Sequence, residues 1–296
     1  MTRRRTRFYK YITVEEEVKR WGIYLTGAGH ISVSKNTIYP LTDDPSHHYF
    51  HWSTGRRLSD YQLLYIISGK GVFETEVTGI RKINAGDIFI LFPGIWHRFT
   101  PDIDTGWEEY WVEFNGDIIK HYRSMDFLNP ENPVLEVGID AEIAQNFLKI
   151  LTLISEEKPG FQYEASGNLI QILGKAITSI RYQQFEGRKI ENQIKQAKLM
   201  LLDYLNNTVS QEEVALAVGL GYSVFRKKFK EYTGISPLQY QINLKINRAK
   251  DLLITSGKST KEIASNLGFD SQDYFCRLFK NKTGYTPSEY REKNNR

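Results

Sequence analysis

Ser210 to Tyr240 reads SQEEVALAVGLGYSVFRKKFKEYTGISPLQY, and Ser259 to Tyr290 reads STKEIASNLGFDSQDYFCRLFKNKTGYTPSEY. The same pattern is written twice. Glu213-Val214-Ala215 matches Glu262-Ile263-Ala264, Gly219 matches Gly268, Phe225 matches Phe275, and Thr233-Gly234 matches Thr283-Gly284. The second copy has one more residue between its Gly and its Phe, which calls for turns of different length. Two copies at a period of about fifty residues suggest a tandem module rather than a solenoid. Each copy reads as a short helix, a tight turn and a second amphipathic helix, so the spacing predicts a helix-turn-helix, twice.

The second helix of each copy carries the chemistry. At about 100° per residue, Phe275, Leu278 and Phe279 share one stripe that must be buried. The opposite face then carries Asp273, Arg277 and Lys280, with Cys276 at its margin. In the first copy Phe225 and Phe229 are buried, while Ser223, Lys227 and Lys230 face outward with Arg226 beside them. A recognition helix lies in the major groove and reads bases mainly with its N-terminal half. Ser223, Arg226, Lys227, Asp273 and Arg277 are therefore the expected base readers, since Arg suits a guanine edge and Asp can accept from cytosine N4. Lys230 and Lys280, further along, are placed for phosphate. The alternative, ordinary solvated faces of a helical bundle, is weakened by the repetition of the face.

Each copy closes on Gly, an apolar residue, Ser or Thr, and Pro: Gly234-Ile235-Ser236-Pro237 and Gly284-Tyr285-Thr286-Pro287. These suit a left-handed cap, an N-cap and a first helical position in turn. A helix from Pro237 to about Thr255, with Leu244, Arg248, Leu252 and Leu253 along it, would join the modules. A stiff connector can hold two recognition helices about one DNA turn apart, roughly 34 Å. This region resembles the DNA-binding domain of the AraC/XylS family of bacterial transcription regulators. The likeness covers about the last hundred residues and rests on the paired modules, on Arg248-Ala249 and Leu252-Leu253, and on GFDSQDYFCRLFKNKTGYTPSEY. In that family the two modules contact successive major grooves.

With 296 residues the chain is long enough for two domains with proper cores. The net charge of +4 is unevenly divided. Arg188 to Arg296 holds 19 basic and 11 acidic residues, a net of +8, and the remainder 20 basic and 24 acidic, a net of −4. The basic part is the part with the helix-turn-helices, as release of counterions from DNA would favour. The single cysteine, Cys276, excludes an internal disulfide and fits a reducing cytoplasm. It reads as a small half-buried filler rather than a redox switch. MTRRRTRFYKY has charge without an apolar core behind it, so it is not a secretory signal, and no run has the length of a membrane span. The expectation is a soluble cytoplasmic protein. The cluster Arg3-Arg4-Arg5-Arg7 reads as a solvated terminus.

Between Tyr49 and Asn115 the chain alternates with period two and is broken by Gly and Pro. Trp21–Leu25 and His30–Val33 read as short strands before it. Tyr61–Ile67, a turn at Ser68-Gly69-Lys70-Gly71, and Val72–Val77 read as strand, turn and strand. Ala85-Gly86-Asp87 is another turn before Ile88–Phe92, and Trp107–Phe114 closes a series that argues for a sandwich or small barrel. Gly86-Asp87-Ile88 through Phe92-Pro93-Gly94-Ile95-Trp96-His97 resembles the second motif of cupin barrels, the fold of the sensor domain in AraC-type regulators. In that family's arabinose-responsive member an Arg before the first long strand, an aromatic just after the motif His, and two positions on the Trp-rich strand hold the sugar. Arg57, Phe99, Glu109 and Trp111 occupy those places here. Glu109 replaces a His and Phe99 a Tyr, which argues against arabinose itself. Trp111 offers an apolar face to a ring, while Arg57 and Glu109 can fix hydroxyls or a charge; the competing reading is plain core packing.

A cupin metal site needs two His and a Glu on adjacent strands plus the motif His. Only His97 matches; His47, His48 and His51 lie earlier, with no spacing that makes them converge. No metal, cofactor or catalytic residue is expected. Beyond Asn115, Ile118–Met125, Ile139–Glu156 and Tyr163–Phe185 read as helices, the last two amphipathic and suited to docking on the barrel and on a second subunit. Glu186-Gly187-Arg188-Lys189 marks the interdomain boundary. The expected architecture is therefore α+β and multidomain: a cupin-like sensing barrel over residues 1–116, a helical dimerisation segment over 117–187, and an all-α tandem helix-turn-helix domain over 188–296. The resemblance implies a homodimeric transcription regulator, with activation and repression both open, whose partners are promoter DNA, a small-molecule effector (a sugar) and RNA polymerase. The alternatives are a cupin metalloenzyme with a DNA-binding tail and a ligand-independent DNA-binding dimer.

Overall fold

Period-two alternation becomes two separate cores because each face of the strands has its own partner. The computed structural model describes residues 7–39, 52–124, 128–183, 185, 189–203 and 210–294. Arg3–Arg5, His47, His48, His51 and the boundary residues Glu186–Arg188 lie outside that set. The contacts divide the chain into two compact units, Met1–Gln183 and Gln184–Arg296.

The first unit runs β1 (Arg7–Tyr11), α1 (Glu16–Lys19), β2 (Tyr24–Val33), β3 (Tyr61–Thr75), β4 (Gly79–Asn84), β5 (Asp87–Leu91), β6 (His97–Pro101), β7 (Trp107–Asn115), α2 (Ile118–Ser124), β8 (Val134–Glu136), α3 (Ala141–Glu156) and α4 (Phe161–Gln183). The strand order is β1-β2-β7-β3-β5-β8, with β4 and β6 also on β3 and every pairing antiparallel. On β7, Trp107 and Trp111 face an aromatic interior with Phe73, Phe89 and Phe99. The alternate residues Tyr110, Val112 and Phe114 face the opposite way, onto a core shared with Phe147 and Ile150 of α3 and Leu169 and Leu173 of α4. The period of two thus places one set of side chains inside a barrel and the other under a helical hairpin.

Two sequence expectations change here. The expected turn at Ser68–Gly71 does not exist: β3 runs through it, pairing first with β5 and β7 and then with β4 and β6, with a register shift between Ile66 and Ser68. The glycines serve close packing. Gly69 has φ +82°, and a Cβ there would fall against the Gly106 carbonyl oxygen; a Cβ on Gly71 would fall against that of Thr100. Glycine in a strand often marks such an approach of backbones. The second change is β1, which the charged N-terminal stretch concealed, and which pairs with β2 from Arg7↔Ile31 to Tyr11↔Gly27. The helix α3 starts at an Asp140 cap that accepts from the Glu142 and Ile143 amides.

The second unit is all helical: α5 (Lys189–Asp203), α6 (Gln211–Ala217), α7 (Tyr222–Thr233), α8 (Pro237–Thr255), α9 (Thr260–Asn266), α10 (Gln272–Thr283) and α11 (Pro287–Asn294). Both short helices begin with reciprocal capping boxes, Ser210 with Glu213 and Ser259 with Glu262. Both recognition helices end on left-handed glycines, Gly234 at φ 83° and Gly284 at φ 82°.

The repeat is longer than the two quoted segments. Ile194, Ala197 and Leu201 of α5 are buried against α6 and α7 in one core, and Ile246, Ala249 and Leu253 of α8 are buried against α9 and α10 in another. Their spacing is the same. At the other end, Tyr240 of α8 meets Phe229 at 5.4 Å and 75°, as Tyr290 of α11 meets Phe279 at 5.4 Å and 81°. The front half of α8 therefore closes the first module, and its back half opens the second.

Candidate nucleic-acid interface and effector cavity

Burial separates the two faces of α7 and α10. Phe225, Phe229, Phe275 and Phe279 are fully buried. Ser223, Arg226, Lys227 and Lys230 on α7, and Asp273, Arg277 and Lys280 on α10, are all exposed. Lys228 pairs with Glu231 at 2.7 Å and so has an acidic partner on the helix itself. The Arg226 guanidinium lies 5.7 Å from the Tyr222 ring centroid, an i,i+4 contact that limits its rotamers. The angle between the short helix and the recognition helix is pinned in the same way in both modules. Gln193 Nε2 donates to the Val218 carbonyl at 2.7 Å, and Lys245 Nζ donates to the Gly268 carbonyl at 3.1 Å while sitting 5.3 Å from the Phe269 ring centroid. Gln193 precedes Ile194 as Lys245 precedes Ile246, so these are equivalent positions using different chemistry. Burial pulls the Lys245 ammonium below its ordinary range, with Asp270 opposing. Reading each module without its preceding helix hid both residues; the signal was the shared Ile-x-x-Ala-x-x-x-Leu spacing.

In the first unit a cavity within the barrel is lined by Arg7, Tyr9, Tyr11, Ile31, Tyr39, Arg56, Gln62, Leu64, Phe99, Glu109 and Trp111, with about 30 Å³ of free space. Three of the four expected ligand residues, Phe99, Glu109 and Trp111, meet there. The fourth does not. Arg57 is turned to the outer surface, where its Nη2 donates to Glu76 Oε2 at 2.8 Å and Nη1 reaches the Gly94 carbonyl. Its neighbour Arg56 enters the cavity instead, because the segment pairs with β6 through Arg56 N–His97 O at 2.9 Å and His97 N–Arg56 O at 3.0 Å. Adjacent residues of an extended segment point to opposite sides, so an error of one position reverses the side chain.

Inside, Arg56 Nη2 donates to Gln62 Oε1 at 3.3 Å, its Nε reaches His97 Nε2 at 3.4 Å, and its guanidinium lies 5.7 Å from the Phe99 ring centroid. Burial pulls the His97 imidazole down to about 4, and the Arg56 charge adds to this. Its other nitrogen is engaged with the Ile95 carbonyl at 3.0 Å. A cation-bearing guanidinium thus stands where a metal on Nε2 would have to sit, and among the described residues no three His, Cys, Asp or Glu converge. Burial, with Asp60 adding, pushes the Glu113 carboxyl up to about 7, while Arg56 opposes. The Trp111 indole lies flat over Gly29: a Cβ there would sit 2.6 Å from Trp111 Cε2. Only glycine leaves room for the ring.

The AraC-like ligand binding domain family matches residues 37–173, and a helix-turn-helix domain family matches residues 194–293. The chain belongs to the AraC family. This AraC-family protein is 24% identical over 256 residues to the MmsAB operon regulatory protein of Pseudomonas aeruginosa, covering 82% of this chain and 78% of the relative. It is 26% identical to the arabinose operon regulatory protein of Escherichia coli, over 79% and 81% of the two chains. With the lactose operon transcription activator of Staphylococcus xylosus the identity is 24%, over 77% and 83%. It is a DNA-binding transcription regulator with a ligand-binding domain. No helix among the described residues is long and apolar enough to cross a membrane.

Proposed function

We propose that the protein controls a promoter in response to a small hydroxylated effector, with a carbohydrate as the first candidate, and that it does so as a homodimer in contact with RNA polymerase. The observation that carries the DNA-binding part is the pair of exposed faces, Ser223, Arg226, Lys227 and Lys230 on α7 and Asp273, Arg277 and Lys280 on α10, at equivalent places in two modules. Arg226 and Arg277 are assigned to bases, and Lys230 and Lys280 to phosphates. For the effector, the Trp111 face, the Glu109 carboxylate and the Arg56 guanidinium supply a stacking surface and two charged hydrogen-bonding groups. Relatives named for lactose and arabinose operons support a sugar. The domain limits assigned to this division of labour are 1–116 for sensing, 117–187 for dimerisation and 188–296 for DNA. An effector acts only through different affinities for the DNA-competent and incompetent arrangements.

The tightness of the cavity favours a second reading, in which the barrel is a ligand-independent dimer scaffold. Melting of the full chain against a sugar panel separates the two. An effector at about a hundred times its dissociation constant adds roughly 2.7 kcal/mol. The sensing reading expects that shift to vanish in Trp111→Ala and in Arg56→Ala while both variants stay folded. A shift that survives both would remove the barrel cavity as the effector site.

A further inference from the structure

We infer that Val224 and Tyr274 form an apolar line beside the polar reading residues, and that this line recognises thymine methyl groups in the major groove. The inference rests on the DNA-binding reading proposed above. Among the described residues of α7, Val224 is the exposed aliphatic side chain, at 51%. The same position on α10, one residue before the buried Phe275 as Val224 is one before Phe225, holds Tyr274, 40% exposed. Each is the third residue of its helix, in the N-terminal part that reaches bases. At about 100° per residue they lie about 60° from Lys227 and Arg277, on the flank away from Arg226 and Cys276.

Val224 is left half exposed on the N-terminal part of α7, beside the polar residues of its outer face. A β-branched residue loses side-chain freedom in a helix and gains nothing from burial while it stays in water. The floor of the major groove is lined by donors and acceptors, and its apolar feature is the thymine C5-methyl. The other flank of α7 is filled: Arg226 leans toward the Tyr222 ring, leaving the Val224 side open to the groove. On α10 the Tyr274 ring rests 6.3 Å from Phe269 at 59°, which holds it while part of it stays exposed. Polar groups alone distinguish a thymine from its neighbours by one acceptor; a methyl contact adds a term of a different kind.

The test uses duplexes selected by the full-length protein from a random pool, with each thymine of the selected site replaced in turn by deoxyuracil, which removes only the methyl. Wild type should lose about fourfold in affinity at one or more positions, the worth of one buried methyl group. Val224→Ala, with unchanged melting, should bind the thymine and uracil forms of one such site equally, and Tyr274→Ala should do so at a different thymine. Uracil tolerated at every position, or discrimination kept in both variants, would overturn the inference and leave the DNA-binding reading standing. A pool that shows no enrichment would remove the DNA-binding reading, and this inference with it.

Discussion

Glu113→Gln should change the shape of the acid-stability profile of the first unit, and not merely its height. Two buried groups oppose each other there. The Glu113 carboxyl titrates at about 7 in the folded chain against an ordinary 4.5, so the folded state holds the extra proton and stability falls as pH rises from 4.5 to 7. His97 titrates at about 4 against 6.5, so the unfolded state holds the extra proton and stability rises as pH goes from 4 to 6.5. Each effect amounts to about 3 kcal/mol over its window. Between pH 4.5 and 6.5 they cancel, and the wild-type profile is flat in these two groups. Removing the Glu113 proton site leaves the His97 slope, about 1.4 kcal/mol per pH unit, and makes the variant more stable than wild type at pH 8. The five tryptophans, Trp21, Trp52, Trp96, Trp107 and Trp111, all belong to the first unit, so denaturation followed by tryptophan fluorescence reports on it alone. Parallel profiles for wild type and Glu113→Gln from pH 4.5 to 8 would refute the assignment of opposed protons.

Further outcomes follow from single contacts. Lys245→Met strands the Gly268 carbonyl and should cost about 1–3 kcal/mol in the second unit, whereas Lys245→Gln, which supplies the amide used by Gln193, should recover part of it, as circular dichroism melting will show. Arg226→Ala and Arg277→Ala should each lose about 1–3 kcal/mol on the selected site and much less on unrelated duplex in titrations at fixed salt; equal losses on both would reassign them to phosphate. Arg56→Ala should weaken effector binding in calorimetry while Arg57→Ala leaves it unchanged, since only the first side chain enters the cavity. Gly69→Ala should lower the melting point of the first unit, because φ +82° and the Gly106 carbonyl both exclude a Cβ.

The helical unit was legible because its signals are local. Caps, turn glycines and the buried Phe225/Phe229 and Phe275/Phe279 pairs all act within a few residues, and the connector appears from Pro237 to Thr255 as its Pro and spacing predict. The barrel was legible only in part. Period two identifies the strands, but β3 crosses a Ser-Gly-Lys-Gly sequence that reads as a turn, because what decides it is the backbone of Gly106 and Thr100, far away in sequence. The one-residue displacement from Arg57 to Arg56 has a related origin. Which of two adjacent arginines enters the cavity is set by the backbone pairing with His97, and nothing in the arginines themselves tells them apart. Strand β1 stayed hidden because its five residues, Arg-Phe-Tyr-Lys-Tyr, continue a charged N-terminal stretch and show no alternation long enough to mark a strand.

The double role of α8 makes the two helix-turn-helix modules rotationally phase-locked. No hinge separates them: one uninterrupted hydrogen-bonded rod ends the first module and begins the second. One residue inserted between Leu244 and Lys245 would turn the second module by about 100° and advance it by about 1.5 Å. Operator half-sites moved apart by a single base pair would meet the same mismatch from the DNA side. On the DNA-binding reading proposed above, the two modules address two stretches of groove at one fixed spacing, and a variant that tolerates a new spacing must first break that rod.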